Sequence, residues 1–229
     1  MFYSAFFIVL VVWFQFSGSD LSRLYRPGIQ WQNLHSSNEH MQLERKNRVC
    51  PVEHAGSLDM AIRRWLQNPR KILETYIDEG MTVLDLGCGP GFFSLEMARL
   101  VGRSGRVIAV DLQQGMLAKV REKIKGTEFE DRFTLHQCGE KMIGIPDVID
   151  FALAFYMVHE IPDKDSLFRQ MANLLKPGGK MLIVEPPLHV SRSDFEKTLE
   201  TARGTGFTTM KGPKVFLSKT AILIHDEIT

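Results

Sequence analysis

The sequence predicts an α/β fold built on a doubly wound, largely parallel sheet. From Met81 onward, short apolar runs alternate with amphipathic stretches, which is typical of strands and helices that follow one another along a chain. The first apolar run, at 82–86, passes through a glycine-rich turn into an amphipathic stretch, as a strand does when it leads directly into a helix. The 229 residues suit one domain of ordinary size with a full hydrophobic core.

The same pattern predicts the individual elements. Strands are predicted at 82–86, 106–111, 132–136, 148–154 and 179–185, with two more in the tail at 206–210 and 215–225. Helices are predicted at 92–101, 114–125, 164–175 and 192–203. Two further helices are predicted before the sheet. The first runs over 58–66 with Ser57 as its N-cap, and the second begins at Pro69 and ends near Gly80.

Composition narrows the possible partners. The net charge of +1 gives no electrostatic basis for nucleic-acid binding. The cysteines Cys50, Cys88 and Cys138 are widely spaced and odd in number, so they predict neither a disulfide framework nor a zinc site. No metal site is predicted. Reduced thiols are typical of a domain that faces the cytosol.

Residues 1–19 form an apolar leader. The run at 2–16 would reach about 22 Å as a helix, which is shorter than a hydrocarbon core of about 30 Å. Three interpretations stay open: a signal peptide, although a basic n-region is missing; a membrane anchor followed by Arg23 and Arg26; or a leader that the folded domain does not use. Of these, membrane association through 2–16 is favoured.

A polar linker follows the leader. Residues 20–56 carry turn signals such as Pro27-Gly28 and Cys50-Pro51. Every element that defines the predicted fold lies after this segment, so the catalytic or binding domain is predicted to occupy 57–229.

The glycine-rich turn predicts a ligand site. Gly87, Gly89 and Gly91 can adopt positive φ and let a ligand approach without meeting a Cβ. Exposed N–H groups at the start of the following helix are expected to favour a negatively charged or electron-rich group. A dinucleotide fingerprint would need a third glycine where Phe92 stands, and the Gly-Lys-Ser/Thr ending of a P-loop is missing.

Four motifs give the chain a resemblance to a known family. The stretch 82–91 resembles the first motif of class I S-adenosylmethionine (SAM) methyltransferases, V-L-D-x-G-x-G-x-G. An acid, Asp111, ends the second strand about 20 residues later. The segment 153–163 resembles the L-x-H-…-D stretch of the small-molecule branch, which includes UbiE-like quinone C-methyltransferases, and 174–180 matches the branch's L-K-P-G-G turn.

The resemblance implies a Rossmann-like seven-stranded sheet over about 57–225, with the last strand inserted antiparallel. It also implies SAM as cofactor. Ligands of such sheets lie beyond the carboxyl ends of the strands. The family's motif acid corresponds to Asp85, which is expected to help hold the methionine end of SAM. The loop residues expected to contact the cofactor are Gly87, Cys88, Gly89 and Gly91.

The adenosine end of the cofactor is expected beyond the second and third strands. The resemblance implies that Asp111 accepts the ribose hydroxyls and that Leu112 contacts the adenine. Many relatives carry an Asp near the end of the third strand, where this chain has Cys138. Because a thiol is a poor acceptor, Gln137 or a backbone group is expected to take over. Phe155 is expected to cover cofactor or substrate.

A proton must leave the acceptor when an oxygen, nitrogen or acidic carbon is methylated, and a positioned base can assist. Four ionisable side chains follow strand ends at the predicted reactive edge: His159, Glu160, Glu185 and His189. His159 is the predicted base because the ordinary pKa of histidine lies near 6.5. A purely structural role for His159 stays open, and Glu160 and Glu185 are expected to be structural.

The predicted function is methyl transfer from SAM to a small-molecule acceptor, and a lipid-soluble acceptor such as a quinone is one candidate. A SAM-binding regulator or scaffold without transfer activity is the alternative, and methylation of a metalloid through the three cysteines is a further one. Because SAM is not supplied outside the cell, the predicted location is the cytoplasm, and attachment to the inner face of the membrane stays open.

Overall fold

The computed structural model of the protein describes residues 66–225. The predicted leader, the linker and the helix at 58–66 lie outside the described residues apart from the last residue of that helix. The five α-helices of the described region are α1 (Pro69–Leu73), α2 (Ser94–Leu100), α3 (Gln114–Ile124), α4 (Lys164–Leu174) and α5 (Arg192–Arg203). The strands are β1 (Thr82–Leu86), β2 (Arg106–Asp111), β3 (Phe133–Gln137), β4 (Ile149–Phe155), β5 (Leu175–Glu185), β6 (Phe207–Lys211) and β7 (Lys219–His225). Short 3-10 turns occur at Glu130–Arg132 and Val158–Glu160.

All seven strands form one sheet in the order β3-β2-β1-β4-β5-β7-β6. The first five strands pair in parallel, and β7 runs antiparallel to both β5 and β6. The predicted seven-stranded Rossmann-like sheet with an antiparallel last strand is therefore confirmed. Strand order reverses between β1 and β4, which is where open α/β sheets bind their ligands.

The hydrophobic core covers both faces of the sheet. Strands β1, β4 and β5 lie at its centre, and large side chains such as Leu84, Phe151 and Leu182 are fully buried there. Near-continuous apolar runs suit central parallel strands because helices cover them on both sides. This burial makes the sheet a rigid base for the loops at its carboxyl edge.

Three predicted element boundaries were wrong by four residues or more. Strand β7 begins at Lys219 rather than 215, because residues 215–218 form a turn closed by the Ser218 N–H on the Val215 carbonyl. Helix α1 begins at Pro69 with an Asn68 side-chain cap, as predicted, but it ends at Leu73 rather than near Gly80. The chain turns earlier because the Gly80 N–H pairs with the Val101 carbonyl, 2.8 Å away, instead of closing a helix. Strand β5 begins at Leu175 rather than 179. Its register with β4 shifts between Leu175 and Lys180, so the predicted L-K-P-G-G turn forms an irregularity within the strand.

Candidate functional site

The glycine-rich loop leaves β1 with all three glycines at positive φ: 71° at Gly87, 52° at Gly89 and 81° at Gly91. A Cβ on Gly87 would lie 3.2 Å from Met157 side-chain atoms, and one on Gly91 would lie 3.1 Å from Val120. A Cβ on Gly89 would meet nothing within 4 Å. Gly87 and Gly91 therefore serve packing as well as backbone conformation, whereas Gly89 alone faces open space that a ligand can approach.

The first three N–H groups of this loop already have partners within the protein, whereas the predicted role of the N–H groups at the start of the following helix stays a prediction. Those of Gly87 and Cys88 both donate to the Val110 carbonyl, at 2.8 and 2.9 Å. The Gly89 N–H donates to a carboxylate oxygen of Asp111, 2.9 Å away. The end of β2 runs alongside the loop and satisfies these donors, a tertiary contact that the loop sequence alone does not reveal.

Asp111 joins the loop to the end of β2. One carboxylate oxygen accepts the Gly89 N–H and the other accepts the Gln113 N–H at 2.8 Å. Burial raises the pKa of Asp111, and hydrogen bonds from backbone N–H groups partly oppose this rise. An ionised carboxylate offers about four lone-pair sites, so these two bonds leave acceptor capacity for hydroxyls of a ligand. Contact between Asp111 and the ribose stays a prediction.

Asp85 is buried at the end of β1. Its carboxylate accepts a hydrogen bond of 2.5 Å from the hydroxyl of Ser94, the first residue of α2. Ser94 is itself fully buried, so this contact fixes the carboxylate between β1 and the start of the helix. The predicted contact of Asp85 with the methionine end of SAM is untested.

The predicted adenine side comes together beyond β2 and β3. The Gln137 amide donates to the Leu112 carbonyl at 3.0 Å, and the Cys138 N–H donates to the Asp111 carbonyl at 3.1 Å. Burial raises the pKa of the Cys138 thiol, with a further contribution from the charge of Asp111. Leu112 is exposed, which leaves its side chain available to a ligand.

Cys88 takes a different position from its loop neighbours. Its side chain is buried in an apolar cluster with Leu117, Val120 and Ile124 from α3. Burial raises the pKa of the thiol, and the nearby charges of Asp85 and Asp111 raise it further. The thiol is therefore a packing group, and any cofactor contact by Cys88 would have to involve its backbone.

His159 and Glu185 form a close pair at the carboxyl ends of β4 and β5. One carboxylate oxygen of Glu185 accepts the His159 backbone N–H at 3.0 Å, and the other lies 2.5 Å from His159 Nδ1. Glu185 is only 2% exposed, whereas the imidazole is about one quarter exposed. Because a carboxylate accepts, Nδ1 carries the proton and Nε2 of a neutral ring is left as the basic nitrogen.

This pairing assigns Glu185 a contact that the sequence did not predict. Glu185 and His159 are 26 positions apart, and only the parallel pairing of β4 with β5 places them together. An acid at the last position of one central strand and a histidine just after its neighbour are the signal that could have indicated the pair. His189 lies beyond it, with its ring centroid 6.0 Å from that of His159.

The ionisable groups in and around this pair shift one another's pKa values. Burial alone would lower the pKa of His159, but the hydrogen bond and charge of Glu185 outweigh it and raise that pKa above its ordinary value. Burial raises the pKa of Glu160 to about 7, and the charges of Glu185 and Asp111 contribute in the same direction. The influence of Asp111 indicates that the predicted cofactor side and the His159 loop lie within electrostatic reach of each other.

Tyr156 adopts a strained conformation beside these groups. Its φ is 59°, which is uncommon for a bulky residue. The hydroxyl forms a 2.7 Å hydrogen bond with Ser218 Oγ and accepts one of 2.9 Å from the Gln67 amide. Its ring contacts that of Phe155, with centroids 4.3 Å apart. Phe155 is itself mostly buried, so its predicted role over the cofactor is not tested by these contacts.

Comparison with known proteins identifies the family. A family model described as "Methyltransferase domain" matches residues 77–210, which is more than half of the chain. The chain belongs to this methyltransferase family. The predicted resemblance to class I SAM methyltransferases is thus confirmed, and with it SAM as the cofactor.

The chain is similar to the ubiquinone/menaquinone biosynthesis C-methyltransferase UbiE of Pasteurella multocida, at 34% identity over 110 residues, covering 48% of this chain and 41% of that protein. The chain thus spans less than half the length of this relative. Among solved structures, a SAM-dependent methyltransferase from Aquifex aeolicus matches with a TM-score of 0.60 and 24% identity over 71% of this chain and 90% of the other. The [4+2]-cyclase SpnF matches with a TM-score of 0.59 and 18% identity, covering 76% of this chain and 85% of the other.

The described part of the chain contains neither a metal-binding cluster nor a helix that could span a membrane. Between 66 and 225, no cluster of three or more His, Cys, Asp or Glu side chains is arranged to hold a metal ion. Within the same residues, every helix is too short or too polar to cross a bilayer. The predicted membrane segment at 2–16 lies outside this region.

Proposed function

We propose that this protein transfers the methyl group of SAM to a small-molecule acceptor, and that the acceptor is related to the quinones. The observation that carries the proposal is the Glu185–His159 pair, a buried carboxylate that holds a partly exposed imidazole at the edge where the glycine loop opens at Gly89. The similarity to UbiE supports a quinone-like acceptor.

The residues present fit SAM. Open space beside Gly89 accommodates a ligand that comes close to the backbone, and the Asp111 carboxylate retains acceptor capacity for ribose hydroxyls. Asp85 and Asp111 supply negative charge near the site, which suits a cofactor that carries a positive sulfonium. SAM supplies an electrophilic methyl group, so the protein's main tasks are to align the acceptor and to receive its proton.

In the proposed reaction His159 removes the acceptor's proton. Nε2 of the neutral imidazole accepts the proton of a ring hydroxyl, which makes the oxygen and the adjacent ring carbon more nucleophilic. The acceptor's oxygen or ring carbon then bonds to the methyl group as the bond between that group and the cofactor's sulfur breaks, and S-adenosylhomocysteine leaves. A methylated ring carbon afterwards loses its own proton while the oxygen regains one, so the acceptor exchanges one proton for one methyl group in either case. The imidazolium that forms is stabilised by Glu185 through the 2.5 Å contact at Nδ1.

The test uses methyl-labelled SAM and a hydroquinone with a short isoprenoid side chain as acceptor. Transfer of label to the acceptor supports the proposal. His159→Ala should lower the rate about 10²–10⁴-fold, as expected for loss of a general base. SAM affinity measured by calorimetry should stay close to that of the wild type. A loss of folding and SAM affinity together, with a normal rate in the remaining folded protein, would instead identify His159 as structural.

The alternative function is SAM binding without methyl transfer. It is favoured by one comparison, because a structure of this fold is named for a cyclase reaction. Native mass spectrometry of the purified chain separates the two possibilities. Co-purified SAM that is not demethylated in the presence of acceptors would favour the alternative, whereas accumulation of the demethylated cofactor would support transfer.

A further inference from the structure

The connection between β6 and β7 presents apolar side chains at the reactive edge. Because β6 ends and β7 begins there, this loop lies beside the carboxyl end of β5. Lys219 of β7 stands opposite Glu185 of β5 in the antiparallel strand register. Phe216 and Leu217 are both exposed, Leu217 by 64%. Leu188 projects from the neighbouring loop after β5 and is also exposed. The two loops are joined by a hydrogen bond from Lys219 Nζ to the Pro187 carbonyl, 3.3 Å.

The loop is held firmly, so its exposed tip is not a product of disorder. Val215 is buried in the core, and the Ser218 N–H closes a turn onto its carbonyl at 2.9 Å. The Thr220 hydroxyl donates to the Pro213 carbonyl at 2.8 Å. These contacts fix the two central residues of the turn, Phe216 and Leu217, so that both are presented to the outside.

Leu217 occupies the one position of this turn where its side chain is unfavourable. Its φ is 51°, and a turn with positive φ at its third residue ordinarily carries glycine or asparagine there. A leucine in this conformation is strained and gains nothing from burial. A fold that retains an exposed, strained leucine indicates that the side chain has a use outside the domain.

The charges around the tip indicate what that use is. Lys211 and Lys214 precede the tip and Lys219 follows it, and no acidic residue occurs between 201 and 225. Aromatic and aliphatic side chains flanked by lysines match an anionic bilayer, since the apolar groups enter the interface and each lysine is attracted to lipid headgroups.

We propose that the surface formed by Leu188, Phe216, Leu217 and the flanking lysines Lys211, Lys214 and Lys219 docks on anionic membranes. Ser218 in this loop contacts Tyr156, which immediately follows β4, so docking brings the site itself to the bilayer. The purpose of docking rests on the proposed function, because a lipid-soluble acceptor would then enter from the membrane. Docking itself does not require methyl transfer, and the proposed surface includes no residue of 2–16.

The test measures partition of the full chain onto vesicles of phosphatidylcholine and phosphatidylglycerol in equal parts, without SAM or acceptor. Leu217→Gly relieves backbone strain, so its melting temperature should equal or exceed that of the wild type. Its partition should nevertheless fall about tenfold, as expected when one leucine side chain no longer leaves water. Val148→Gly is the matched control, because Val148 is 54% exposed just before β4, at the opposite edge of the sheet. It should partition like the wild type.

A second measurement locates the contact. Phe216→Trp should gain a blue-shifted, bromolipid-quenched emission on these vesicles, taken as the difference from the wild-type chain with its three native tryptophans. Vesicles of phosphatidylcholine alone should give a much weaker signal. Unchanged partition of Leu217→Gly, no shift at position 216, or equal binding to both vesicle types would each overturn the proposal. Because SAM binding and methyl transfer are measured separately, these outcomes leave the proposed function standing.

Discussion

The two halves of the carboxyl edge are built differently. Beyond β1, β2 and β3, the polar contacts described above involve a backbone group on at least one side, apart from the Asp85–Ser94 pair. The Asp111 carboxylate ties the glycine loop to its neighbouring strand. Beyond β4 and β5, and just before β7 begins, side chains from distant segments contact one another, as in the Glu185–His159 and Tyr156–Ser218 pairs. Two non-glycine residues, Tyr156 and Leu217, have positive φ in this second half.

This difference corresponds to two tasks. A backbone-built site suits a ligand of fixed shape, since few side-chain substitutions can alter it. A site built from side chains and a strained loop can be changed one residue at a time, which suits an acceptor that varies between relatives. We therefore expect changes in the first half to act on cofactor affinity, and changes in the second half to act on rate, pH dependence and stability.

The largest effect is expected in the first half. Gly89→Leu places a side chain in the open space beside the loop, where the cofactor is expected to approach the backbone. SAM affinity should fall by about a hundredfold or more, because excluding a ligand from its site removes several favourable contacts. Calorimetry on the folded variant provides the measurement.

The matched control is Gly126→Leu. Gly126 also has positive φ, 69°, and a Cβ there would likewise meet nothing within 4 Å. It follows α3 rather than β1, so it shares the backbone strain but not the predicted cofactor contact. Equal losses of SAM affinity in both variants would show that strain, rather than exclusion of the ligand, is responsible, and would remove the main support for a backbone-built cofactor site.

A smaller effect is expected when the charge of Glu185 is removed. Glu185→Gln keeps the length of the side chain and can still accept from Nδ1 of His159, but its NH2 group then faces the His159 backbone N–H, which loses its acceptor. The variant therefore removes the charge that stabilises the imidazolium together with one of the two hydrogen bonds of the pair. We expect the rate at high pH to fall about tenfold, which is less than the loss expected for His159→Ala because the base itself is still present. SAM affinity should not change.

The pH dependence of the rate in Glu185→Gln shows whether the charge of Glu185 acts on His159 or whether Glu185 only supports the local structure. The base must be neutral, so the wild-type rate should rise as pH passes through the pKa of His159, which Glu185 holds above its ordinary value. Without that charge, burial lowers the pKa, and the midpoint of the profile should move to lower pH. A midpoint that stays where it is, or moves upward, would contradict the assigned role of Glu185.

The sequence was sufficient to predict the strands and the glycine turn on which the first half of the candidate site is built. The alternating pattern predicted all seven strands, and the family motifs singled out Asp85, Asp111 and the glycine loop. It did not predict that β2 occupies the N–H groups of the loop, because that depends on how two strands lie side by side. In the second half it identified His159 but treated Glu185 as structural, since a contact across 26 positions depends on strand register.

The smallest effect concerns Glu160 and appears as stability. Its pKa is about 7 in the folded protein because of burial and the charges of Glu185 and Asp111, against an ordinary value of 4.5. Between these values the folded state binds more protons than the unfolded state, so the free energy of unfolding falls as pH rises.

Glu160→Gln mimics the protonated form. The variant should therefore be more stable than the wild type by about 1–3 kcal/mol near pH 8, and of equal stability near pH 4. Urea unfolding at both values provides the measurement. A stability difference that is independent of pH would mean that the amide changes packing rather than charge, and that the acids of the two halves do not influence one another through Glu160.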